Sequence, residues 1–248
     1  MSGHRFPPNL ILGLRRLAAR SHDLLFPPQC AGCDAHGHHL CPRCAQEVQA
    51  AVPRPCPRCK QPPPVPGGPC PACESGNLQP LLLMRSAARH AGPMRAAIHR
   101  YKYENQPELA VPLTRYLLAA FAADEWTAAR EAIDVVIPVP LHPDRFAGRG
   151  YNQSELLAAE FCRHTRIPLQ PDWIVRTRQT RPQVGLTAME RTENVQSAFV
   201  AGPWSAERNI LLVDDVFTTG ATMQACAMAA KNVGANAVFG LTLAMPMA

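Results

Sequence analysis

The chain has 248 residues, 47% of them apolar, and a formal net charge of +6; that is enough material for one or two domains with a real core and excludes a disordered chain. The longest apolar run, 116–123, is far short of the roughly 18 to 20 residues that cross a bilayer, so no transmembrane span is expected. The apolar patch 10–14 is interrupted at once by Arg15 and Arg16, where a signal peptide needs an unbroken core, so export is not expected either.

Only 3 of the 25 basic residues are lysine. Guanidinium groups fork onto phosphate oxygens, which suits phosphate or nucleic-acid partners, although a GC-rich coding sequence yields the same excess without any function. Composition shifts along the chain: 15 of 26 prolines and 8 of 10 cysteines lie in residues 1–80. That region lacks the apolar residues to hold itself together and needs a covalent or metal staple. From about residue 81, strand-like runs alternate with Ala/Leu-rich helical stretches, the signature of an α/β domain.

In chain order, Leu10, Leu14, Leu17 and Leu25 suggest an amphipathic helix within 1–25, docked on either domain or lying on a membrane surface. Four C-x2-C pairs follow: Cys30/Cys33, Cys41/Cys44, Cys56/Cys59 and Cys70/Cys73. Each presents two thiolates on one tight turn, and two turns complete a tetrahedral S4 shell, so eight cysteines fit two Zn2+ ions. A disulfide framework needs an oxidising compartment. Thioredoxin-like redox pairs occur once per domain, between a strand and a helix. Iron shares the ligand set but is the rarer occupant. Sequential pairing, the first two knuckles together and the last two together, suits two ribbons better than a cross-braced arrangement. Arg43, Arg54, Arg58 and Lys60 surround the metal turns, which makes this region the expected main contributor to any DNA affinity.

From Arg85 to Lys102 there are five basic residues and no acids, and His99-Arg-Tyr-Lys-Tyr103 mixes aromatic rings with cations, as single-stranded nucleic acid favours. Met94, Ala97, Ile98 and Tyr101 have helical spacing, so Tyr101 reads equally as core. Residues 133–137 form a β-branched run, a buried strand that Pro138 and Pro140 stiffen as the chain leaves the sheet. Arg145, Arg149, Gly150, Asn152 and Gln153 then bring donors to the start of a helix over 154–163, where Asn152 or Ser154 can also serve simply as its cap. Residues 176–194, with Arg176, Arg178, Arg181 and Arg191, read as a mobile basic loop or a solvated connection. Cys162 and Cys226 sit in apolar helical contexts and read as buried thiols.

The most informative segment is Ile210-Leu-Leu-Val-Asp-Asp-Val-Phe-Thr-Thr-Gly-Ala-Thr222. Four apolar residues make a strand buried on both faces, and two carboxylates stand at its carboxyl end, where open α/β sheets bind ligands. Adjacent acids suit vicinal hydroxyls or a hydrated Mg2+. Thr218, Thr219, Gly220, Ala221 and Thr222 lead into an Ala-rich helix, so backbone N–H groups, hydroxyls and a helix N-terminus converge as a phosphate cradle.

This segment resembles the 5-phosphoribosyl-1-pyrophosphate (PRPP) motif of type I phosphoribosyltransferases, and most of the chain resembles the ComF (ComFC) family of competence-associated proteins. Beyond the PRPP motif the likeness rests on 99–103, on Ile137-Pro-Val-Pro-Leu-His142 with Arg149-Gly-Tyr-Asn-Gln-Ser154, and on Gly185-Leu186, Arg191, Asn194 and Ala198-Phe199. It implies a double zinc ribbon at 26–76 followed by a type I phosphoribosyltransferase-like α/β domain with a mainly parallel sheet at 84–248. It further implies Asp214 and Asp215 on the ribose hydroxyls as catalytic groups and residues 218–222 on the 5-phosphate. Pyrophosphate would lie on the loop of Val139, Arg145, Arg149, Gly150 and Asn152, and a flexible loop with Arg178 and Arg191 would close over the reaction. Two structural Zn2+, Mg2+ with PRPP, single-stranded DNA and a helicase-like partner are the expected companions. The location implied is cytoplasmic, with membrane association through partners. No residue set identifies an acceptor base, so two readings stand: a PRPP-binding protein that handles DNA during uptake, and a phosphoribosyltransferase of nucleotide salvage with an unknown nitrogen acceptor.

Overall fold

The structure, a computed structural model, describes residues 27–51, 80–177, 198–202 and 207–246. The expected helix within 1–25, the second cysteine quartet (Cys56, Cys59, Cys70, Cys73) and the loop residues Arg178 and Arg191 lie outside the described residues.

Four parallel strands, β1 (Leu83–Arg89), β2 (Val135–Pro138), β5 (Asn209–Val216) and β6 (Ala237–Met245), form the central sheet in the order β1-β6-β5-β2. A separate antiparallel pair, β3 (Ile174–Arg176) and β4 (Phe199–Ala201), lies against one of its faces. Side chains alternate across the sheet as a period of two requires. Leu211, Val213, Phe239, Leu241 and Val136 point to one layer, with helices α2 (Gly92–Tyr103), α3 (Ala110–Phe121), α4 (Thr127–Ala132) and α6 (Gln153–Thr165). Ile210, Leu212, Val238, Val135 and Ile137 point to the other, with α7 (Ala221–Asn232) and the β3–β4 pair. Both faces are covered, which is why β5 reads as an unbroken apolar run.

The helices follow their own patterns. In α2, Met94, Ala97, Ile98 and Tyr101 make the buried stripe, and Pro93 sits in the first turn, where its missing N–H costs nothing. Tyr101 is therefore core: its hydroxyl donates to the Gln153 carbonyl at 2.8 Å, and the Tyr151 hydroxyl donates to the Tyr101 carbonyl. Asn152 caps α6, its side chain accepting from the Ser154 N–H at 3.1 Å.

Two expectations change. The donor-rich stretch after β2 is not an open loop, because residues Pro143–Arg149 form a short helix, α5. The His142 ring caps its start and Gly150, at φ 80°, ends it in the left-handed conformation that favours glycine. Arg176 does not belong to a basic loop but to β3, where its backbone is paired with Phe199 of β4 and its guanidinium lies over that ring, 5.3 Å from the centroid.

The first two cysteine knuckles, with α1 (Pro42–Glu47) between Cys41 and Val48, sit against this body. Residues 49–51 pair antiparallel with the outer edge of β1, through the Arg89 N–H to the Gln49 carbonyl at 2.9 Å and the Ala51 N–H to the Ala87 carbonyl at 3.1 Å. Ala31 enters the core of the main body, and Arg100 on α2 pairs with Asp34 at 2.5 Å. At the opposite edge, β2 is bridged by Leu169. No helix among the described residues is long and apolar enough to cross a membrane.

Candidate ligand site and metal centre

The carboxyl ends of β5 and β2 gather most of the described polar groups that the sequence singles out. Alternation along β5 sets Asp214 in phase with Ile210 and Leu212, and Asp215 in phase with Leu211 and Val213, so the adjacent acids leave the sheet toward opposite layers. Asp214 accepts from the Ser154 hydroxyl at 2.7 Å and from the Asp215 N–H at 2.9 Å. Its carboxyl is pushed up to about 7 by burial first and by Asp215 beside it second, against the opposing pull of Ser154 and Lys102. Asp215 is buried and meets Lys102 Nζ at 2.7 Å. A polar row continues across the sheet: Asp214 pairs with Thr242, Thr242 with Ser86, and the two hydroxyls lie 2.7 Å apart, both buried.

After β5 the chain turns through Thr218 and Thr219, both exposed, to Gly220 at φ 80°, which starts α7. A Cβ at Gly220 would come within 2.6 Å of the Phe217 ring, so glycine is required both by conformation and by space. Ala221 and Thr222 occupy the first turn of α7, where backbone N–H groups have no partner inside the helix. Geometrically this is an anion cradle beside two acids.

The residues read as a pyrophosphate loop separate. Val139 extends the ladder, its N–H donating to the Val213 carbonyl at 2.9 Å, and the Asn152 amide donates to the Val139 carbonyl at 3.1 Å. The side chain of Asn152 and the backbone of Val139 thus shape the site from within. Arg145 is exposed on α5, whereas Arg149, half-buried, bonds to the Gln153 side chain and lies over Tyr103, 5.5 Å from its centroid. Three groups came together that no motif marked as site residues: Ser154, Lys102 and Arg176, whose guanidinium burial and Arg145 hold below its ordinary pKa while Asp214 raises it. Ser154 and Lys102 lie 60 and 113 residues from their carboxylates in sequence; only the mixed cation–aromatic character of 99–103 hinted at Lys102.

Cys30, Cys33, Cys41 and Cys44 bring their Sγ atoms within 4.8 Å of one another, with Cys33 and Cys41 3.7 Å apart. Tetrahedral Zn–S bonds of about 2.3 Å put sulfurs roughly 3.8 Å apart, so the quartet fits zinc. Burial raises the Cys30 thiol, but the amides of Cys41, Gly32 and Cys33 outweigh it and bring it down to about 6. Burial and the neighbouring thiols push Cys44 up. Gly32 is needed for this closeness, since a Cβ there would lie 2.8 Å from the Cys44 sulfur. The sequential pairing of the first two knuckles is what the geometry gives.

A zinc-ribbon protein with a parallel α/β body is the class this architecture defines. Residues 21–76 match the double zinc ribbon domain family. The chain is 32% identical over 199 residues, 80% of its own length and 81% of the relative's, to DNA utilization protein YhgH of Escherichia coli strain K12. It is 33% identical over 149 residues to competence protein F of Haemophilus influenzae, covering 59% of this chain and 65% of that one. Over 145 residues it is 31% identical to competence protein ComFC of Streptococcus pneumoniae, at 58% and 60% coverage. The chain belongs to the ComF family of these DNA-utilization and competence proteins, and its ribbon carries structural zinc.

Proposed function

We propose that this protein binds Mg2+-PRPP at the carboxyl ends of β5 and β2 and takes part in DNA uptake by handling incoming single-stranded DNA. The first half is carried by one observation: at the carboxyl end of β5 the serine-bonded Asp214 leaves the sheet on the face that carries the glycine-started helix α7, while Asp215 beside it meets Lys102 on the other face. In this reading Asp214 and Asp215 accept the ribose hydroxyls and residues 218–222 hold the 5-phosphate. Lys102 and Arg149 stand where a pyrophosphate needs cations, with Arg178 and Arg191 on the segment that follows β3. Mg2+ arrives with the pyrophosphate as part of the ligand. The second half draws on the names of the relatives, which concern DNA utilization and competence. A second zinc ion in the quartet of Cys56, Cys59, Cys70 and Cys73 belongs to the same reading, as do a domain boundary between residues 76 and 84, a helicase-like partner and a cytoplasmic location.

Calorimetry with Mg2+-PRPP tests the pocket. A hydrogen bond to a charged group contributes about 1.5 to 3 kcal/mol, so Asp214→Asn should weaken binding by roughly one to two decades. A wild-type protein that ignores Mg2+-PRPP would reduce the motif to scaffold. Pyrophosphate release on adding free bases or oligonucleotides would instead favour a phosphoribosyltransferase, with the productive compound as acceptor.

A further inference from the structure

The buried stripe of α2 ends at Tyr101, yet the helix continues to Tyr103, whose side chain is 68% exposed. Its ring already makes one tilted aromatic contact and one cation contact. His99 stands 5.1 Å away, centroid to centroid, and the Arg149 guanidinium lies over the ring at 5.5 Å. Two residues on, Asn105 at φ 51° turns the chain away. A cavity of about 220 Å3 opens here, lined by Lys102, Tyr103, Asn105, Gly148 and Arg149. Its character is one aromatic ring between two cations. The acid nearest in sequence, Glu104, is engaged by His99 at 3.3 Å and Arg100 at 3.6 Å. Lys102 joins this cavity to the acid pair, since the residue that lines it also reaches Asp215.

An exposed tyrosine between cations has the chemistry of a single-strand platform: the ring takes a base face and the cations take the flanking phosphates. The first two zinc knuckles offer nothing equivalent. Residues 27–51 contain no Phe, Trp or Tyr. We propose that Tyr103 is the stacking platform for a base of single-stranded DNA, with Lys102 and Arg149 holding the adjoining phosphates. The proposal rests on the DNA-handling half of the reading above, and it shares Lys102 and Arg149 with the pyrophosphate contacts of the other half, whereas Tyr103 belongs to DNA alone. It moves the base-contacting surface from the ribbon, where the sequence put most of the affinity, to the end of α2.

Fluorescence anisotropy at one fixed salt concentration tests it with the full chain and two probes: a thymidine oligonucleotide, and an abasic strand of equal length and charge. Tyr103→Ala should weaken the thymidine probe roughly tenfold, as expected for loss of one stacked base, while leaving the abasic probe within about twofold. Tyr103→Phe, which keeps the ring, should bind both as the wild type does. Unchanged binding of both probes by Tyr103→Ala overturns the platform but not DNA handling. An equal loss for both probes overturns it too, because Tyr103 would then act only through the cations. Wild-type protein that binds neither probe defeats the DNA reading itself, and Mg2+-PRPP titration of the same samples reports on the pocket separately.

Discussion

Asp214 carries a proton that most aspartates shed long before neutrality. In the folded protein it is held to about pH 7, in an unfolded chain only to about pH 4. Between those values the folded state binds more protons, so this group's contribution to stability falls as pH rises, and the loss is complete above pH 7. Ligand binding should run the other way, because only the carboxylate accepts a ribose hydroxyl without first giving up a proton. Mg2+-PRPP affinity is expected to rise about tenfold between pH 6 and pH 8, in step with the ionised fraction of a group titrating near 7. PRPP titrates too, so the diagnostic quantity is the difference from Asp214→Asn, whose own profile should be flatter. Parallel profiles for the two proteins would remove Asp214 from the ligand.

At the scale of elements, the edge of β1 matters most. An uncovered edge strand templates pairing with other chains, and here residues 49–51 cover it just after the first cysteine quartet closes. Where metal affinity is folding energy, removing zinc removes the cover. Chelation, or Cys44→Ser, should therefore speed deuterium exchange at the Arg89 amide, which donates to Gln49, while β5 stays protected; unchanged exchange at Arg89 would mean the strip holds without metal. The elements legible in the sequence were those whose cause is local: four apolar residues before two acids for β5, i, i+3, i+4 and i+7 spacing for α2, C-x2-C turns for the knuckles. What was not legible is contact between distant segments. Nothing in Gln49-Ala50-Ala51 marks a partner for β1, and nothing in Lys102 names Asp215. Helix α5 escaped because Pro143–Arg149 has no buried residue and hence no apolar period to read.

For the whole molecule, the sequence divides into a ribbon and a body able to fold alone, with residues 1–80 at +4 and residues 81–248 at +2. The structure ties the two more closely. Ala31 belongs to the body's core, the Tyr116 hydroxyl donates to the Ala45 carbonyl at 3.2 Å, and Arg100 reaches Asp34. Deleting residues 1–80 should leave the proposed PRPP site in place, since Asp214, Ser154 and α7 all lie beyond the cut. It should also cost about 2 kcal/mol, which for a body of this size lowers Tm by roughly 4 to 8 °C, and promote self-association through β1. Thermal scanning with light scattering checks both, and a truncated chain as stable and as monomeric as the whole would leave the contacts without energetic weight. The order in which the chain is made gives the strip at 49–51 another consequence. The inner neighbour of β1 is β6, the last strand, about 150 residues further on. At ribosomal speeds of roughly 5 to 20 residues per second, β1 waits on the order of 8 to 30 s for it. The knuckle, already emerged, supplies the one edge-pairing partner that β1 has among the described residues during that wait, so a cell short of zinc would meet the defect in newborn chains before it appeared in finished ones.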